Sequence, residues 1–527
     1  MSDKLYEIPL GWSWVKLSDI ADIKGGLTKG KKRKPTDNLK EVPYLRVANV
    51  QRGYLMLDEM KTIKATEAEI LQLLLEEGDI LFTEGGDRDK LGRGWIWLNE
   101  IPECIHQNHV FRARLYLKEI SSKLISLYSN SNGQNYFLGA GKQTTNLASI
   151  NLTKLSNLPI PIPPFNEQRR IVARIEALTA RSRRARQALA AVPQLIDQFR
   201  QSVLAAAFRG DLTAEWRQQH PDIEPASALL KRIRLKRRLH WEKAELEKMR
   251  AKGKEPRNDE WKKKYQESES ISIDNLSILP HTWLWTSMGS ISEIELGKML
   301  DKGKEKKGKM LPYLRNQNVQ WFDFDLDEVF EMDFSDYELE RFTVQDGDIL
   351  VCEGGEPGRS AIWSNKELEV KYQKTLHRVR LFVDDIPQLW IVYHLKFESE
   401  LGILDRYCGG STIKHLTKVS FQKYPVPLPP IEEQKEIVKQ IEIAFNIAEN
   451  IEHQILHNLE KVQTLDQSIL AKAFRGELVP QDPDDEPASV LLERIRAERE
   501  RLKPPKQKGR SRRQKNAGQL PIEGLER

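Results

Sequence analysis

The sequence carries two copies of nearly every recognisable segment, and this duplication limits the folds that the chain can adopt. The segment VPYLRVANVQ at 42–51 returns as LPYLRNQNVQ at 311–320, and EEGDILFTEGG at 76–86 returns as QDGDILVCEGG at 345–355. The copies are about 270 residues apart, whereas solenoid repeats have periods of about 20–50 residues. The pattern therefore indicates two similar domain pairs, and a molecule of this kind is suited to contacting a partner at two places.

Each half begins with a segment that predicts a mixed domain of strands and helices. Residues 1–163 and 272–429 contain short apolar runs bounded by Gly and Asp, such as GDILFTEGG, GWIWL and VFRARLYL. Such runs are typical of strands. Both segments end at a proline-dense hinge, PIPIPP at 159–164 and PVPLPP at 425–430. Because proline is tolerated just ahead of a helix but not inside one, a helix is expected to follow each hinge.

Heptad patterns follow both hinges and predict helices that pair with each other. Apolar residues recur at alternating spacings of four and three, as a and d positions do in coiled coils. The predicted pairing residues are Ile171, Ile175, Leu178, Leu189, Ile437, Ile441, Ile451 and Ile455. Residues 164–271 are thus a predicted central helical spacer and linker, and residues 430–502 a C-terminal helical spacer. About 28 helical residues after each hinge would span roughly 40 Å.

Two matching charged helices and a basic tail complete the chain. IEPASALLKRIRLKRR at 223–238 matches DEPASVLLERIRAERER at 485–501. The pattern suits a solvated charged helix, and its duplication suits a docking surface for two copies of a partner subunit. Residues 503–527 begin with KPPKQKGRSRRQK and predict a disordered basic tail.

Composition predicts a chain that stays in the cytoplasm. Charged residues make up 30% and hydrophobic residues 39% of the 527 residues. No apolar run approaches the length of about 18 residues that a membrane span needs, and the N-terminus has no signal-peptide pattern. The three cysteines have neither disulfide nor zinc spacing, so buried free thiols are expected.

Basic runs at matching places in the two halves predict contact with a polyanion. They read KGKKRKP at 29–35 and DKGKEKKGK at 301–309, and nucleic acid would be attracted to both. The alternative is a pair of solvated loops. The candidate DNA-binding cations are Lys29, Lys31, Lys32, Arg33, Lys302, Lys304 and Lys307.

Polar residues beside these loops are candidates for base contact. Arg can address guanine, and Asn or Gln can address adenine, in the major groove. The duplicated PYLR segments supply Arg46, Asn49, Gln51, Arg315, Asn318 and Gln320, and the segments QTTN and GSTIKH near each domain's exit supply Thr144, Asn146, Thr412 and Lys414. Residues that are identical in both copies have a strong alternative role as scaffold, because domains that read different sequences need different readers.

Motifs for catalysis are missing, so neither a catalytic residue nor a metal site is predicted. GAGKQT at 139–144 lacks the first glycine and the terminal Ser or Thr of a phosphate-binding loop. HExxH, EF-hand, nucleophile-elbow and GxGxxG patterns do not occur, nor does the Asn-Pro-Pro-aromatic tetrapeptide of adenine methyltransferases. The sequence predicts a chain without bond-making chemistry of its own.

The combination of motifs resembles one family. Each half carries a GDIL segment that leads to a Gly-Gly pair, then PxPPxxEQxxIV, a heptad helix and AFRG[DE]L. This order, over residues 7–500, is similar to the specificity subunits of type I restriction–modification systems. The resemblance implies an α+β fold with an internal pseudo-twofold repeat, in which two mixed α/β target recognition domains are separated by long paired, coiled-coil-like helices.

The resemblance also implies a function in host defence. Each recognition domain would read half of a bipartite, asymmetric site in double-stranded DNA, and the helices would dock two methylation subunits and, through them, restriction subunits. The chain itself would bind no cofactor, whereas its partners would use S-adenosylmethionine, ATP and Mg²⁺. Two alternatives are a decoy subunit that binds methylation subunits without reading DNA, and a self-contained enzyme, for which the chain has no room.

Overall fold

The fold of the protein was analysed in a computed structural model. The structure describes residues 5–30, 32, 34, 37–86, 90–140, 142–143, 148–256, 258–268, 271–273, 276–300, 308–410 and 414–502. The predicted basic tail, 503–527, lies outside the described residues.

The first mixed domain contains fourteen described strands and five short helices. The strands are β1 (Ser13–Lys16), β2 (Ala21–Gly25), β3 (Leu39–Leu45), β4 (Val50–Gln51), β5 (Tyr54–Leu55), β6 (Lys61–Thr66), β7 (Ile80–Thr83), β8 (Gly85–Gly86), β9 (Gly94–Ile96), β10 (Ile105–His106), β11 (Val110–Leu115), β12 (Lys142–Gln143), β13 (Ala148–Ser149) and β14 (Pro159–Ile162). The helices are α1 (Leu17–Ile20), α2 (Glu67–Leu73), α3 (Ser122–Asn130), α4 (Gly133–Ala140) and α5 (Leu152–Ser156).

Three helices follow the first hinge. They are α6 (Phe165–Arg209), α7 (Ala214–Gln219) and α8 (Ala226–Ala251), and a 3₁₀ turn follows at Asp259–Lys264. Helix α6 has 45 residues, against the 28 predicted from the heptads, because it continues to Arg209 of the AFRG motif and accommodates Pro193 in its interior.

The second mixed domain repeats the main elements of the first. Its strands are β15 (Leu284–Ser287), β16 (Ser292–Leu296), β17 (Lys309–Leu314), β18 (Phe330–Phe334), β19 (Ile349–Cys352), β20 (Ser360–Ile362), β21 (Lys371–Tyr372), β22 (Leu376–Leu381) and β23 (Pro425–Leu428). Its helices are α9 (Met288–Ile291), α10 (Asp336–Arg341), α11 (Gln388–Glu400) and α12 (Lys418–Gln422), and the chain continues with α13 (Ile431–Phe474) and α14 (Ala488–Arg501).

The two mixed domains share their sheet topology. An antiparallel four-stranded sheet runs in the order β2-β11-β7-β9 in the first domain and β16-β22-β19-β20 in the second. A three-stranded sheet runs β10-β3-β6 and β18-β17-β21, and one pair in each, β10 with β3 and β21 with β17, is parallel. The central strands β7 and β19 are buried on both faces because every side chain in ILFT and ILVC is buried. This matched topology confirms the predicted α+β fold with an internal repeat.

The compact units of the molecule do not follow the order of the sequence. Unit 1 comprises residues 1–189 and 457–527, and unit 2 comprises residues 190–456. In unit 1 the C-terminal residues Phe474 and Leu491 are buried in one core with the first mixed domain. In unit 2 the AFRG residue Phe208 is buried with the second. The units divide inside the long helices rather than at the hinges, and the domain boundaries drawn from the sequence stay predictions.

The long helices lie antiparallel within each unit. In unit 1 the start of α6 shares a core with the end of α13, and Arg186 pairs with Asp466 at 2.6 Å. In unit 2 the end of α6 lies against the start of α13, where Arg200 forms two hydrogen bonds with Glu452, at 3.0 and 2.9 Å.

The predicted pairing residues differ in how deeply they are buried. Buried are Ile171, Ile175, Ile437, Ile441 and Ile455, and partly buried are Leu178 and Leu189. Ile451 is 40% exposed and lies outside the buried part of the stripe, so its role in pairing stays a prediction. An α-helix drifts by about 20° per heptad from a strict seven-residue repeat, and a stripe extrapolated over several heptads therefore rotates away from the seam.

In each unit the glutamate of the PxPPxxEQ signature is buried and accepts hydrogen bonds from segments that are distant in the sequence. In unit 1 the Trp12 indole donates a 2.9 Å hydrogen bond to Glu167, and the Gln481 amide donates one of 2.6 Å. The following Gln168 donates its amide to the Pro163 carbonyl at 3.0 Å. We call this cluster latch 1. Burial raises the pKa of Glu167, and the hydrogen bonds from Trp12 and Gln481 offset only part of that shift.

The equivalent cluster in unit 2, latch 2, contains a cation. The Trp283 indole donates to Glu433 at 2.9 Å, as in latch 1. Here, however, the second carboxylate oxygen accepts from the Thr213 hydroxyl and the Arg217 guanidinium, both at 2.8 Å. Gln434 repeats the bond to the hinge, donating to the Pro429 carbonyl at 2.8 Å.

In each domain the aspartate of the GDIL motif pairs with an arginine on a strand of the four-stranded sheet. Gly78 adopts a φ of 91° that favours glycine, and Asp79 is buried. The Asp79 carboxylate accepts two 2.7 Å hydrogen bonds from Arg114 on β11. Asp348 and Arg380 form the same pair, also at 2.7 Å, in the second domain. These shared residues thus form part of the scaffold.

Candidate nucleic-acid interface

Four loops of the first mixed domain meet at one edge and form a surface that we call loop face 1. Its described segments are 27–30, 84–86, 107–109 and 148–150. The basic loop joins it through Leu27, whose backbone N–H donates to the His106 carbonyl at 2.8 Å and whose carbonyl accepts from Asn108 at 3.0 Å. This face brings the predicted basic loop and the predicted exit loop to the same place.

The EGG segment lies at the centre of loop face 1. The Glu84 N–H donates to the His109 carbonyl at 2.9 Å, and the Glu84 carbonyl accepts from Ile150 at 2.8 Å. Strand β8, which contains Gly85 and Gly86, pairs with β13 of the exit loop. The EGG glycines therefore join the loops to one another through backbone pairing.

Loop face 2 repeats this arrangement in the second mixed domain. Its described segments are 298–300, 353–355, 373–375, 409–410 and 414–416. The corresponding backbone hydrogen bonds are Lys298 N–H to the Tyr372 carbonyl at 3.0 Å, Lys374 to Lys298 at 2.8 Å, Glu353 to Thr375 at 2.9 Å and Leu416 to Glu353 at 2.7 Å. Both halves thus build the same backbone frame.

Close packing at one glycine fixes the basic loop in each frame. A Cβ atom at Gly26 would lie 1.9 Å from the His106 carbonyl oxygen, and one at Gly297 would lie 2.4 Å from that of Gln373. Real Cβ atoms do not approach so closely, so any side chain here would displace the loops. Sequence reasoning did not identify these two glycines.

Described cations of the predicted set are exposed, but not all of them are free. Lys29 and Lys32 lie exposed in the basic loop. Lys414 is also exposed and forms an ion pair with Asp405. The other loop candidates, Lys31, Arg33, Thr144, Asn146, Lys302, Lys304, Lys307 and Thr412, lie outside the described residues.

Residues of the first PYLR segment serve mainly as internal supports. Asn49 is 2% exposed, accepts from the Arg46 N–H at 3.0 Å and donates to the Met56 and Glu59 carbonyls at 2.8 and 3.2 Å. Arg46 donates to the Glu59 carbonyl at 2.9 Å. Gln51 donates to the Ala48 carbonyl at 2.7 Å.

The second PYLR segment has the same pattern with an aromatic addition. Asn318 is buried and donates to the Asp325 and Glu328 carbonyls at 2.9 and 3.0 Å. Arg315 pairs with the Glu328 carboxylate at 2.7 Å and lies 3.9 Å above the centre of the Phe330 ring. Gln320 donates to the Gln317 carbonyl at 3.0 Å. This geometry favours the scaffold role for both asparagines, and base contact by the six PYLR residues stays a prediction.

Four polar residues on the loop faces were missed by sequence reasoning. They are the half-buried Asn108 and the exposed His109 on loop face 1, and the exposed Lys374 and His415 on loop face 2. Their signal was present in the sequence: QNHV at 107–110 and QKTL at 373–376 start with the same glutamine and then differ. These positions differ between the copies, and the motifs used for prediction were the segments that match.

A carboxylate faces a histidine on each loop face. The His109 ring contacts the Glu84 carboxylate directly. On the second face, burial raises the pKa of Glu353, and the positive charges of His415 and Lys374 oppose that shift. A carboxylate on such a face can accept a hydrogen bond from the amino group of cytosine.

The buried histidines behind the faces are neutral. His106 contacts the Val110 carbonyl at 2.6 Å, and burial lowers its pKa to about 4. His377 contacts the Leu416 carbonyl at 2.6 Å, and its pKa is likewise lowered to about 4 by burial. Their contacts hold the turn at 107–110 and the exit loop in place, which is a structural role.

Neither a metal site nor a membrane span occurs in the part of the chain that the structure describes. It contains no group of three His, Cys, Asp or Glu side chains that could hold a metal ion. Cys104 and Cys352 are buried free thiols, as predicted, whereas Cys408 is only partly buried. None of the described helices is both long and apolar enough to cross a membrane.

Comparison with known proteins identifies the family. The family model described as "Type I restriction modification DNA specificity domain" matches residues 9–193 and 280–461, one match in each half. The chain belongs to the type I restriction–modification specificity family. Each family match begins ahead of the latch tryptophan, Trp12 or Trp283, and ends inside the long helix that follows the mixed domain.

Two relatives of this specificity-family chain match nearly all of its length. It is 25% identical to the type I restriction enzyme EcoKI specificity subunit of Escherichia coli K12, over 94% of this chain and 96% of that protein. It is 26% identical to the Escherichia coli EcoBI specificity subunit, over 94% of both chains.

Solved structures share the fold. The crystal structure of the HsdS subunit from Thermoanaerobacter tengcongensis aligns with a TM-score of 0.57 at 18% identity, covering 90% of this chain and all of that one. A structure reported for complex assembly and conformational transition of a type I restriction–modification system aligns with a TM-score of 0.55 at 19% identity, with the same coverage.

Proposed function

We propose that this chain is the non-catalytic subunit that directs a type I restriction–modification complex to its DNA. Each mixed domain reads one half of a bipartite, asymmetric site in double-stranded DNA through its loop face. The observation that carries the proposal is that the two loop faces have the same backbone frame but different exposed side chains. A shared frame gives both domains the same mode of docking, and different side chains give the two half-sites different sequences.

The charges at loop face 1 suit a DNA backbone. Lys29 and Lys32 are exposed beside the face and can hold phosphates, which position a protein on the duplex without reading sequence. Reading then falls to polar side chains on the face itself, such as Asn108 on the first face and Lys374 on the second. This division between phosphate contacts and base contacts is usual in sequence-specific DNA binding.

The long helices suit the role of a spacer. Helices α6 and α13 contain 45 and 44 residues, and each contributes to both compact units. We propose that their stiffness fixes the number of unread base pairs between the half-sites. Inserting seven residues, about two helical turns, between Leu189 and Ala190 is expected to change or abolish the tolerated spacer while leaving each half-site sequence unchanged.

We also propose that α8 and α14 dock two methylation subunits, and restriction subunits through them. The N-terminal ends of the two helices match, since Arg232 pairs with Glu224 and Arg494 pairs with Glu486. Further along, three positions reverse in charge: Lys231, Lys236 and Arg238 in α8 correspond to Glu493, Glu498 and Glu500 in α14. The two surfaces should therefore bind one kind of partner with unequal affinity, and native mass spectrometry is expected to show an intermediate with a single methylation subunit.

Chemistry in such a complex belongs to the partners. Methylation subunits would use S-adenosylmethionine, and restriction subunits would use ATP and Mg²⁺. The role of this chain is to recognise the DNA sequence and to provide the docking surfaces.

Mapping of DNA methylation tests the proposal directly. The chain is co-expressed with the methylation subunit encoded beside it, and methylated adenines are located across the host DNA by long-read sequencing. A single bipartite, asymmetric motif with a fixed gap is expected. A stable complex without methylation, and without binding to any DNA fragment of the host, would instead identify a decoy subunit.

A further inference from the structure

One turn on each loop face has the same backbone and a different side chain. Val110 donates its N–H to the Gln107 carbonyl at 2.8 Å, and Leu376 donates to the Gln373 carbonyl at 2.9 Å. Both turns begin with glutamine, and each glutamine makes a parallel bridge to the basic loop of its own domain. The position after it is Asn108 in the first domain and Lys374 in the second.

The backbone of this position is fixed in both domains. Asn108 donates its N–H to the Leu27 carbonyl at 3.0 Å, and Lys374 donates to the Lys298 carbonyl at 2.8 Å. Because both hydrogen bonds lead to the start of the basic loop, the side chain at this position lies beside the loop that is expected to hold phosphates. The position is therefore held at a fixed place relative to the start of the basic loop in each domain.

The side chain at this position is free to meet a ligand. Lys374 is exposed, and within the described residues its ammonium group has no hydrogen-bond or ion-pair partner. The Asn108 amide lies 3.3 Å from the His109 ring and makes no other side-chain hydrogen bond among the described residues. An unpaired ammonium group on a frame of this rigidity is available for recognition.

The next position in each turn is used internally. His109 contacts the Glu84 carboxylate. The Thr375 hydroxyl accepts from the Asn316 N–H at 3.3 Å. The preceding glutamines are the same in both domains. Position 108/374 is thus the one in the turn that has a fixed backbone, differs between the halves and has a side chain that the domain does not use internally; Asn108 is half-buried and Lys374 is exposed.

We propose that Asn108 and Lys374 are specificity-determining residues at equivalent positions of the two recognition domains. Lys374 has only donors and suits the O6 and N7 acceptors of guanine in the major groove, whereas the Asn108 amide suits adenine through N6 and N7. The inference rests on the proposed function, since it assigns these residues to the half-sites that the two domains read.

Exchange of the two residues tests the assignment. The wild-type complex with its methylation subunit is compared with complexes carrying Lys374→Asn, Asn108→Lys or the control Lys366→Asn. Lys366 is an exposed lysine of unit 2 that pairs with Asp346 at 3.1 Å and does not belong to loop face 2. Binding is measured by selection from duplexes in which each base pair of the two half-sites found for the wild type is randomised in turn.

Lys374→Asn is expected to change the preferred base at one position of one half-site, with a roughly ten- to hundredfold shift in relative affinity. The other half-site and the spacer stay unchanged. Asn108→Lys is expected to act on the opposite half-site, and Lys366→Asn on neither. Equal melting temperatures and subunit ratios show that the variants are folded and assembled.

Two results would overturn the inference. Uniform weakening by Lys374→Asn at every sequence, with the salt dependence of binding reduced by about one ion, would identify a phosphate contact instead. Unchanged base preference in both exchanges would exclude the turn from reading. Failure of the proposed function is distinct, because then the wild-type complex itself would select no bipartite site.

Discussion

Latch 1 and latch 2 each bury the glutamate of the PxPPxxEQ signature, but the two carboxylates have different hydrogen-bond partners. Both accept a hydrogen bond from a tryptophan indole at 2.9 Å. Glu167 completes its shell with the neutral amide of Gln481, whereas Glu433 receives a hydroxyl and the guanidinium of Arg217. Duplicated motifs thus fix the position of a carboxylate and leave its charge balance to residues outside the motif.

The residues that differ come from the segment after each AFRG motif. Arg217 lies after AFRGDL and Gln481 after AFRGEL, at places where the copies no longer match. Arg217 also lies 5.7 Å from the centre of the Trp283 ring, so its cation is held by both the carboxylate and the indole. Latch 2 therefore contains an ion pair, Glu433 with Arg217, whereas Glu167 in latch 1 has only neutral hydrogen-bond donors.

The largest difference between the two latches is expected in the stability that each unit loses when its carboxylate is replaced by an amide. Glu433→Gln leaves the Arg217 cation partly buried without its counter-ion, and about 3 kcal/mol of local stability is expected to be lost. Glu167→Gln strands no charge and keeps an acceptor for Trp12, but its new NH2 group faces the Gln481 amide donor, so a smaller loss of about 1 kcal/mol is expected. Hydrogen exchange of amides in β19 and β22, compared with β7 and β11, measures the two units separately. Equal losses would contradict the difference between the latches.

Acidification should weaken both units through their buried histidines. The pKa of His106 and that of His377 are lowered to about 4, from 6.5, by burial. The unfolded chain then binds more protons than the folded one between these values. Stability is full above pH 6.5 and is lost as the pH falls towards 4, by about 3 kcal/mol per histidine.

A substitution drawn from the chain itself sharpens this test. The residue equivalent to His377 in the first domain is Phe111, one residue after the start of β11 as His377 is in β22. His377→Phe is expected to remove the acid dependence from unit 2 and leave that of unit 1. Denaturant unfolding at a series of pH values, followed by hydrogen exchange in each unit, checks this. An unchanged pH profile in unit 2 would show that another group titrates.

Crowding one glycine should damage one loop face alone. In Gly297→Ala the new Cβ would lie 2.4 Å from the Gln373 carbonyl oxygen, so the turn of loop face 2 must move. An overpacking cost of about 1–3 kcal/mol is expected, seen as weaker binding to duplexes that carry the cognate second half-site. Gly409→Ala is the matched control on the same face, since its Cβ would meet nothing within 4 Å. Similar losses in both variants would show that glycine content, and not this close approach, matters.

Removing cations from the basic loop should have the smallest effect. Lys29→Gln together with Lys32→Gln is expected to weaken binding uniformly across sequences and to lower the salt slope by about one ion for each phosphate that is no longer neutralised. The measurement is the DNA dissociation constant at several salt concentrations, with Lys118→Gln as an exposed control outside the loop face. A slope equal to that of the wild type would remove this loop from the DNA surface.

Sequence reasoning was sufficient for the repeat, the mixed domains and the helices after the hinges, because these depend on local patterns. Ile171 and Ile437, which the heptads predict as helix-pairing residues, are both buried. It failed at the end of α6, which continues beyond the expected stop. Ile451 is 40% exposed, as expected where a helix drifts from a strict heptad. The pairing of the first domain with residues 457–502 could not be foreseen, because no local pattern specifies contacts between distant segments.

The candidate site was predicted only in outline. The basic loop and exit loop were identified, and both contribute to loop face 1. The turn residues Asn108 and Lys374 were missed, since a side chain in a turn follows neither helix nor strand periodicity. The PYLR residues attracted attention because they are identical in the two halves. Identity between the copies reflects a shared support, here the buried amides of Asn49 and Asn318.

The discontinuous composition of unit 1 has a consequence for biosynthesis. The ribosome completes residues 1–189 well before residue 457 is made, and at about 5–20 residues per second the delay is on the order of 15 to 50 s. Throughout that time the surface that will cover Phe474 and Leu491 has no partner. Unit 2, whose residues are consecutive, can finish folding first. The N-terminal domain is therefore the last to mature, and a nascent chain interrupted before α14 would leave its earliest-made part unprotected.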